Sequence, residues 1–92
     1  MTATKACRTA EVRSPLGMHM RPWQQFHEIA NKYLSTSIQV RVGEVTSDAR
    51  SLMGLFVLCS PIGTKITIEA DGEHAEEACT ALKTFVESLF EI

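Results

Sequence analysis

The stretch SIQVRVGEVTSD, residues 37–48, holds two short runs of alternating residues joined at a glycine. Ile38, Val40 and Val42 alternate with Gln39 and Arg41, the period-two pattern of a strand with one buried and one wet face. Gly43-Glu44 reads as a tight turn, and a second strand follows at about Val45 to Asp48. A lone hairpin is marginal in water, so the rest of the chain has to supply partners for its apolar face.

Upstream, Ala6 to Val12 alternates weakly and reads as a first strand, stopped by the loop chemistry of Ser14-Pro15-Leu16-Gly17. From Pro22 a helix is expected, because Trp23, Phe26, Ala30, Tyr33 and Leu34 recur at spacings of three and four. Downstream, Ser51 to Leu58 is apolar at nearly every position, and Ser51 before it and Pro61 after it confine it to one or two helical turns. Ile66, Ile68 and Ala70 alternate again, closed by Asp71-Gly72. The last segment carries a helical stripe of Ala75, Ala78, Cys79, Leu82, Phe85, Val86, Leu89 and Phe90. The order strand, helix, strand, strand, short helix, strand, helix predicts an α+β open-faced β-sandwich, with a four-stranded antiparallel sheet and three helices on one face.

The 92 residues are 45% apolar and 22% charged, without a linker or repeat, and are read as a single domain over residues 1–92. A net charge of −2, with nine Lys and Arg scattered along the chain, gives no attraction to phosphate backbones, so no nucleic-acid partner is expected. No run approaches the roughly 18 apolar residues that span a bilayer, and MTATKACRTA has no apolar segment resembling a signal peptide. The expectation is a cytoplasmic protein with no direct membrane insertion. Cys7, Cys59 and Cys79 are odd in number and widely spaced, and are read as core residues. His27 and His74 stand at no ligand spacing with them and are read as surface or partly buried helix residues. No metal site and no cofactor are expected, and the absence of a P-loop, HExxH or dinucleotide fingerprint argues against an independent metabolic enzyme.

One stretch does not fit a purely structural account: PLGMHMRPW, residues 15–23. If the first helix begins near Met20, His19 is its entrance residue and Pro22 lies in the first turn, where a missing N–H costs nothing. The ring then stands beside unpaired backbone N–H groups and the positive end of the helix dipole, a setting suited to phosphate. Gly17 lets the loop fold back closely, and Arg21 adds a fork of donors matched to phosphate oxygens. A neutral imidazole has a free lone pair and acts as a nucleophile.

The stretch Gly17-Met18-His19-Met20-Arg21-Pro22-Trp23 resembles the signature, approximately GLHARPA, of the histidine-containing phosphocarrier (HPr) family of the phosphoenolpyruvate-dependent phosphotransferase system. Arg50-Ser51-Leu52-Met53-Gly54-Leu55 resembles a second family signature, approximately KSIMGL. The resemblance runs from about Cys7 to Leu89 and implies the family's βαββαβα fold. It implies that His19 accepts a phosphoryl group through Nδ1 from Enzyme I and passes it to an IIA-type acceptor, with Arg21 stabilising or orienting the group and His19 exposed. It implies a carrier, expected to be monomeric, rather than an independent enzyme.

Ser51 matches the serine that HPr kinase/phosphorylase modifies in regulated members; it reads equally well as an N-cap of the short helix. Part of the short helix must face solvent, and the resemblance implies a docking surface of Leu52, Met53 and Phe56 with the start of the first helix, extended by Met18, Met20 and Trp23. An alternative is a regulatory module of the same fold, in carbon or nitrogen control, switched by serine or histidine phosphorylation. Trp23 stands where the family usually has alanine, and Met20 replaces a small residue. Cys59-Ser60-Pro61 departs from the glycine-containing stretch that commonly follows the short helix.

Overall fold

The computed structural model describes residues 4–89. Four strands, β1 (Lys5–Glu11), β2 (Thr36–Val42), β3 (Val45–Asp48) and β4 (Lys65–Gly72), alternate with three helices, α1 (Met20–Ala30), α2 (Leu52–Phe56) and α3 (Ala75–Glu87). The strands form one antiparallel sheet in the order β1-β4-β2-β3. The helices cover one face and leave the other to water, which makes the molecule the open-faced α+β sandwich that the alternation predicts.

The register explains how the core is built. Ile38 lies opposite Ala70, and Ala70 opposite Ala6. Val40, Ile68 and Arg8 form the next row across the sheet. Ala10, Ile38, Val40, Ile66, Ile68 and Ala70 are buried under Trp23, Phe26 and Ala30 of α1 and Ala78, Cys79, Leu82 and Val86 of α3. The rows between carry Cys7, Glu69, Gln39 and Asp48, which face solvent. β1 alternates weakly because Arg8 occupies a helix-facing position on an edge strand. Its guanidinium donates to Glu76 of α3 at 2.9 Å, so the charge is carried out to the rim.

Three expectations need correction. Tyr33 and Leu34 do not continue α1, which ends at Ala30; Tyr33 is half-buried and Leu34 is 80% exposed. Arg50 supplies the reason: its guanidinium donates to the carbonyls of Thr36 and Tyr33, and at the limit of range to Ala30, ending the helix and holding the following turn. Second, only Cys79 among the cysteines is buried; Cys7 and Cys59 are exposed. Third, Leu89 is buried just beyond the end of α3 rather than on it, while Phe90 lies outside the described residues. No helix among the described residues is long and apolar enough to cross a membrane.

Candidate functional site

The entrance of α1 is held by two backbone clamps. Gly17 adopts φ +74°, and a Cβ there would stand 2.2 Å from the Ser60 carbonyl oxygen. Only glycine allows the loop to come so close. Directly after it, Met18 N–H donates to Ser60 O at 2.8 Å, and Ser60 N–H returns the bond to Met18 O at 3.1 Å. The loop before α1 is thereby stitched to the loop after α2.

His19 follows as the N-cap residue, in an extended conformation (φ −90°, ψ −169°), and its side chain makes no capping hydrogen bond. The first turn carries no acidic residue and includes Pro22, so the helix end keeps its positive character. His19 is half-buried rather than fully open. Its Nε2 is buried without a hydrogen-bond partner. Leu16, Met18, His19, Cys59, Ser60 and Pro61 line a shallow depression of about 310 Å³ at this place. Arg21, one turn position further, is exposed, and among the described residues it has no ion-pair partner.

Met18 and Trp23, expected on the docking surface, are both fully buried. They occupy the positions before the N-cap and in the second turn where a hydrophobic staple fixes the entry of the chain into a helix. Trp23 also packs edge-on against Phe26, with ring centroids 5.0 Å apart. Leu16, which lines the same depression, and Met20, the next residue, are exposed, as are Met53 on α2 and Val57 just after it, while Leu52 and Phe56 are half-buried. Leu16, Val57 and Cys59 escaped the sequence reading because nothing in a short apolar run or a lone thiol marks which side faces water.

Ser51 caps α2: its Oγ accepts from Gly54 N–H at 3.1 Å. Ser47 Oγ donates to the Gly54 carbonyl at 2.9 Å, and the two hydroxyls close around Gly54 so tightly that a Cβ there would lie 2.9 Å from one and 3.0 Å from the other. His27 joins this region to α1. Its Nδ1–H donates to Ala49 O at 3.0 Å, and its Nε2 accepts from the Asn31 amide at 3.1 Å, which assigns the neutral tautomer from its partners. His74, exposed at the start of α3, lies 3.9 Å from Glu77. Among the described residues no group of three His, Cys, Asp or Glu is placed to hold a metal ion.

Residues 6–88 match the family model described as the PTS HPr component phosphorylation site. With the topology above, that match defines the class: the small phosphocarrier domains of the phosphotransferase system. The chain belongs to the HPr family. It is 31% identical to the phosphocarrier protein HPr of Cupriavidus necator, over 90% of this chain and 92% of that protein. The crystal structure of an HPr from Bacillus anthracis superposes with a TM-score of 0.82 at 32% identity, covering 89% of this chain and 96% of that one. The solution structure of Crh, described as the Bacillus subtilis catabolite repression HPr, has a TM-score of 0.64 at 32% identity, covering 89% and 96%.

Proposed function

We infer that the chain is a cytoplasmic phosphocarrier that takes a phosphoryl group from phospho-Enzyme I onto Nδ1 of His19 and gives it to IIA-type acceptors in sugar uptake. The observation that supports this reading is the state of the ring: at a helix entrance it does not cap, His19 has its Nε2 buried without a partner, which favours Nδ1 as the nucleophile. In the transfer the Nδ1 lone pair forms a bond to phosphorus as the donor's bond to phosphorus breaks and its electron pair returns to the donor. The unopposed helix entrance and the free guanidinium of Arg21 supply positive charge where three phosphoryl oxygens come to rest. Alignment and charge stabilisation are most of what such a transfer asks of a protein, and the partner contributes to both. Met20, next to His19, and Met53, on the helix that packs against α1, are exposed and fit a docking role, because flexible thioether side chains adapt to more than one partner surface.

Incubation with Enzyme I and phosphoenolpyruvate is expected to place one acid-labile phosphate on the protein and none on His19→Ala. Equal labelling of the two would sink the carrier reading. Arg21→Gln should slow transfer by about one to two orders of magnitude while leaving the melting temperature unchanged, since the side chain has no described partner to lose.

The likeness to Crh supports a second reading, a regulatory module in which HPr kinase/phosphorylase modifies Ser51. Ser51 is exposed, and its Oγ already lies against a backbone N–H of the helix it caps, a place that welcomes negative charge. Phosphate there would also bring about two negative charges to the α2 side of the docking surface. Rapid transfer from His19 to IIA acceptors with an unmodified Ser51 favours the first reading; kinase labelling of Ser51 with negligible histidine transfer favours the second.

A further inference from the structure

The outer edge of β1 has no neighbouring strand, and side chains of α3 lie along it. At both ends of the strand the even-numbered residues bond inward. Gly72 N–H donates to Thr4 O at 2.6 Å, Val12 N–H to Thr64 O at 2.9 Å, and Gly63 N–H to Val12 O at 2.8 Å. Antiparallel pairing alternates, so the backbone groups of Lys5, Cys7, Thr9 and Glu11 point the other way, out from the sheet. Three of them are taken by side chains. Lys83 Nζ donates to Thr9 O at 3.0 Å, Glu87 Oε2 accepts from Glu11 N–H at 3.1 Å, and Arg8 donates to Cys7 O at 2.9 Å. Lys83 and Glu87 stand 3.8 Å from one another, one helical turn apart. Among the described residues no side chain accepts from the N–H of Cys7 or of Thr9.

We propose that this edge is a strand-addition site for a second copy of the chain, and that Lys83 and Glu87 are its guard. An edge with open N–H and C=O groups is a template for a further strand. The occupant follows from the order of residues in β1, KACRTAE. Two copies set antiparallel about a two-fold axis through Arg8 bring Lys5 opposite Glu11 and Cys7 opposite Thr9, each pair twice. All four positions are outward-facing, so the two strands exchange hydrogen bonds in this register, and the outermost pairs on the wet face match positive with negative. Toward the helices the strand presents Ala6 and Ala10, too small to obstruct the approach. The two Arg8 side chains meet at the axis, each already paired with Glu76 at 2.9 Å. Shifting the register by one pair either way loses the match, setting Lys5 opposite Thr9 or Cys7 opposite Glu11.

Guard and second copy compete for the same atoms. In the proposed register Cys7 N–H donates to Thr9 O of the second copy, the atom that Lys83 holds, and Lys5 O accepts the Glu11 N–H that Glu87 holds. The side chains must let go before the strands pair. Pairing then satisfies the Cys7 and Thr9 N–H groups, which the guard leaves open. β1 lies at the opposite edge of the sheet from β3, on which α2 packs, so a dimer joined here leaves α2 uncovered. The inference is independent of the carrier reading, whose failure would not touch it.

The first test compares the full chain with Lys83→Ala/Glu87→Ala by sedimentation equilibrium. The double variant is expected to dimerise about tenfold more tightly than the wild type. The second test reads the register by disulfide trapping, with Cys59→Ser in both chains of a mixture: one keeps Cys7, and the other carries Cys7→Ser with Thr9→Cys. Diamide joins the thiols, taking up their two hydrogens to become a hydrazine. Opposite residues of a hydrogen-bonded pair stand about 5.5 Å apart at Cα, within reach of a disulfide. Cross-links between the two different chains are expected to outnumber those between identical chains several-fold, where random collision gives equal numbers. A double variant that dimerises no better than the wild type, or equal numbers of the two kinds of cross-link, overturns the proposal. Trapping in chains that keep Lys83 and Glu87 decides alone if the double variant does not fold.

Discussion

At Gly17 the demand on one residue is sharpest, because a methyl group there meets a backbone carbonyl at 2.2 Å in a conformation that L side chains rarely adopt. Gly17→Ala is expected to cost about 1–3 kcal/mol in urea unfolding, and to slow phosphoryl acceptance by more than the stability loss explains, since the Met18–Ser60 clamp sets the position of His19. The motif around His19 was readable because glycine, histidine, arginine and proline each carry a separate physical meaning at a helix entrance. Burial was not readable. Met18 and Trp23 look like surface residues beside an exposed site, and the staple geometry that buries them is visible only once the helix start is known to within one residue. The cysteines mislead for the converse reason: Cys7 lies on the wet side of β1 because Ala6 and Ala10 take the inner side. Thiol reagents should modify Cys7 and Cys59 in the native protein and reach Cys79 only on denaturation, countable by mass.

Among the elements, α1 depends most on a residue outside itself. Arg50 donates to carbonyls at and beyond its C-terminal end, so Arg50→Met is expected to destabilise the protein by about 1.5–3 kcal/mol. The amides of Asn31 and Tyr33, which donate back to His27 and Ala30, should lose exchange protection before the sheet does. Helical spacing carried Tyr33 and Leu34 into α1 because periodicity measures where apolar residues recur, not where carbonyls find other donors. The strands were legible to within one or two residues, since alternation in β2 and β4 coincides with real burial at Ile38, Val40, Ile66, Ile68 and Ala70. At α2, Ser51→Ala is expected to remove about 1 kcal/mol by losing the cap on Gly54 N–H, with the loss concentrated in the exchange of that short helix.

For the molecule as a whole, the acid limit is set partly where the end of α3 meets the end of β1. The Glu87 carboxyl is held below its ordinary range, first because it accepts the Glu11 backbone N–H at 3.1 Å, and then because Arg13, Lys83 and Lys65 surround it. A depressed carboxylate stabilises the fold fully above its unfolded value and ceases to do so as pH falls through its folded value. Urea midpoints should therefore fall as pH is lowered below about 4–4.5, and Glu87→Gln should flatten that part of the profile. The sheet order also has a bearing on how the protein is made. β4 is the last strand in sequence, yet it lies between β1 and β2 and pairs with both. A nascent chain thus carries β1 without a neighbour until about residue 72 has left the ribosome, and the helix bearing His19 has no finished sheet to pack on before then. His19 therefore precedes its scaffold in sequence, and the sheet beneath its helix is complete only once β4 has emerged to join β1 to β2.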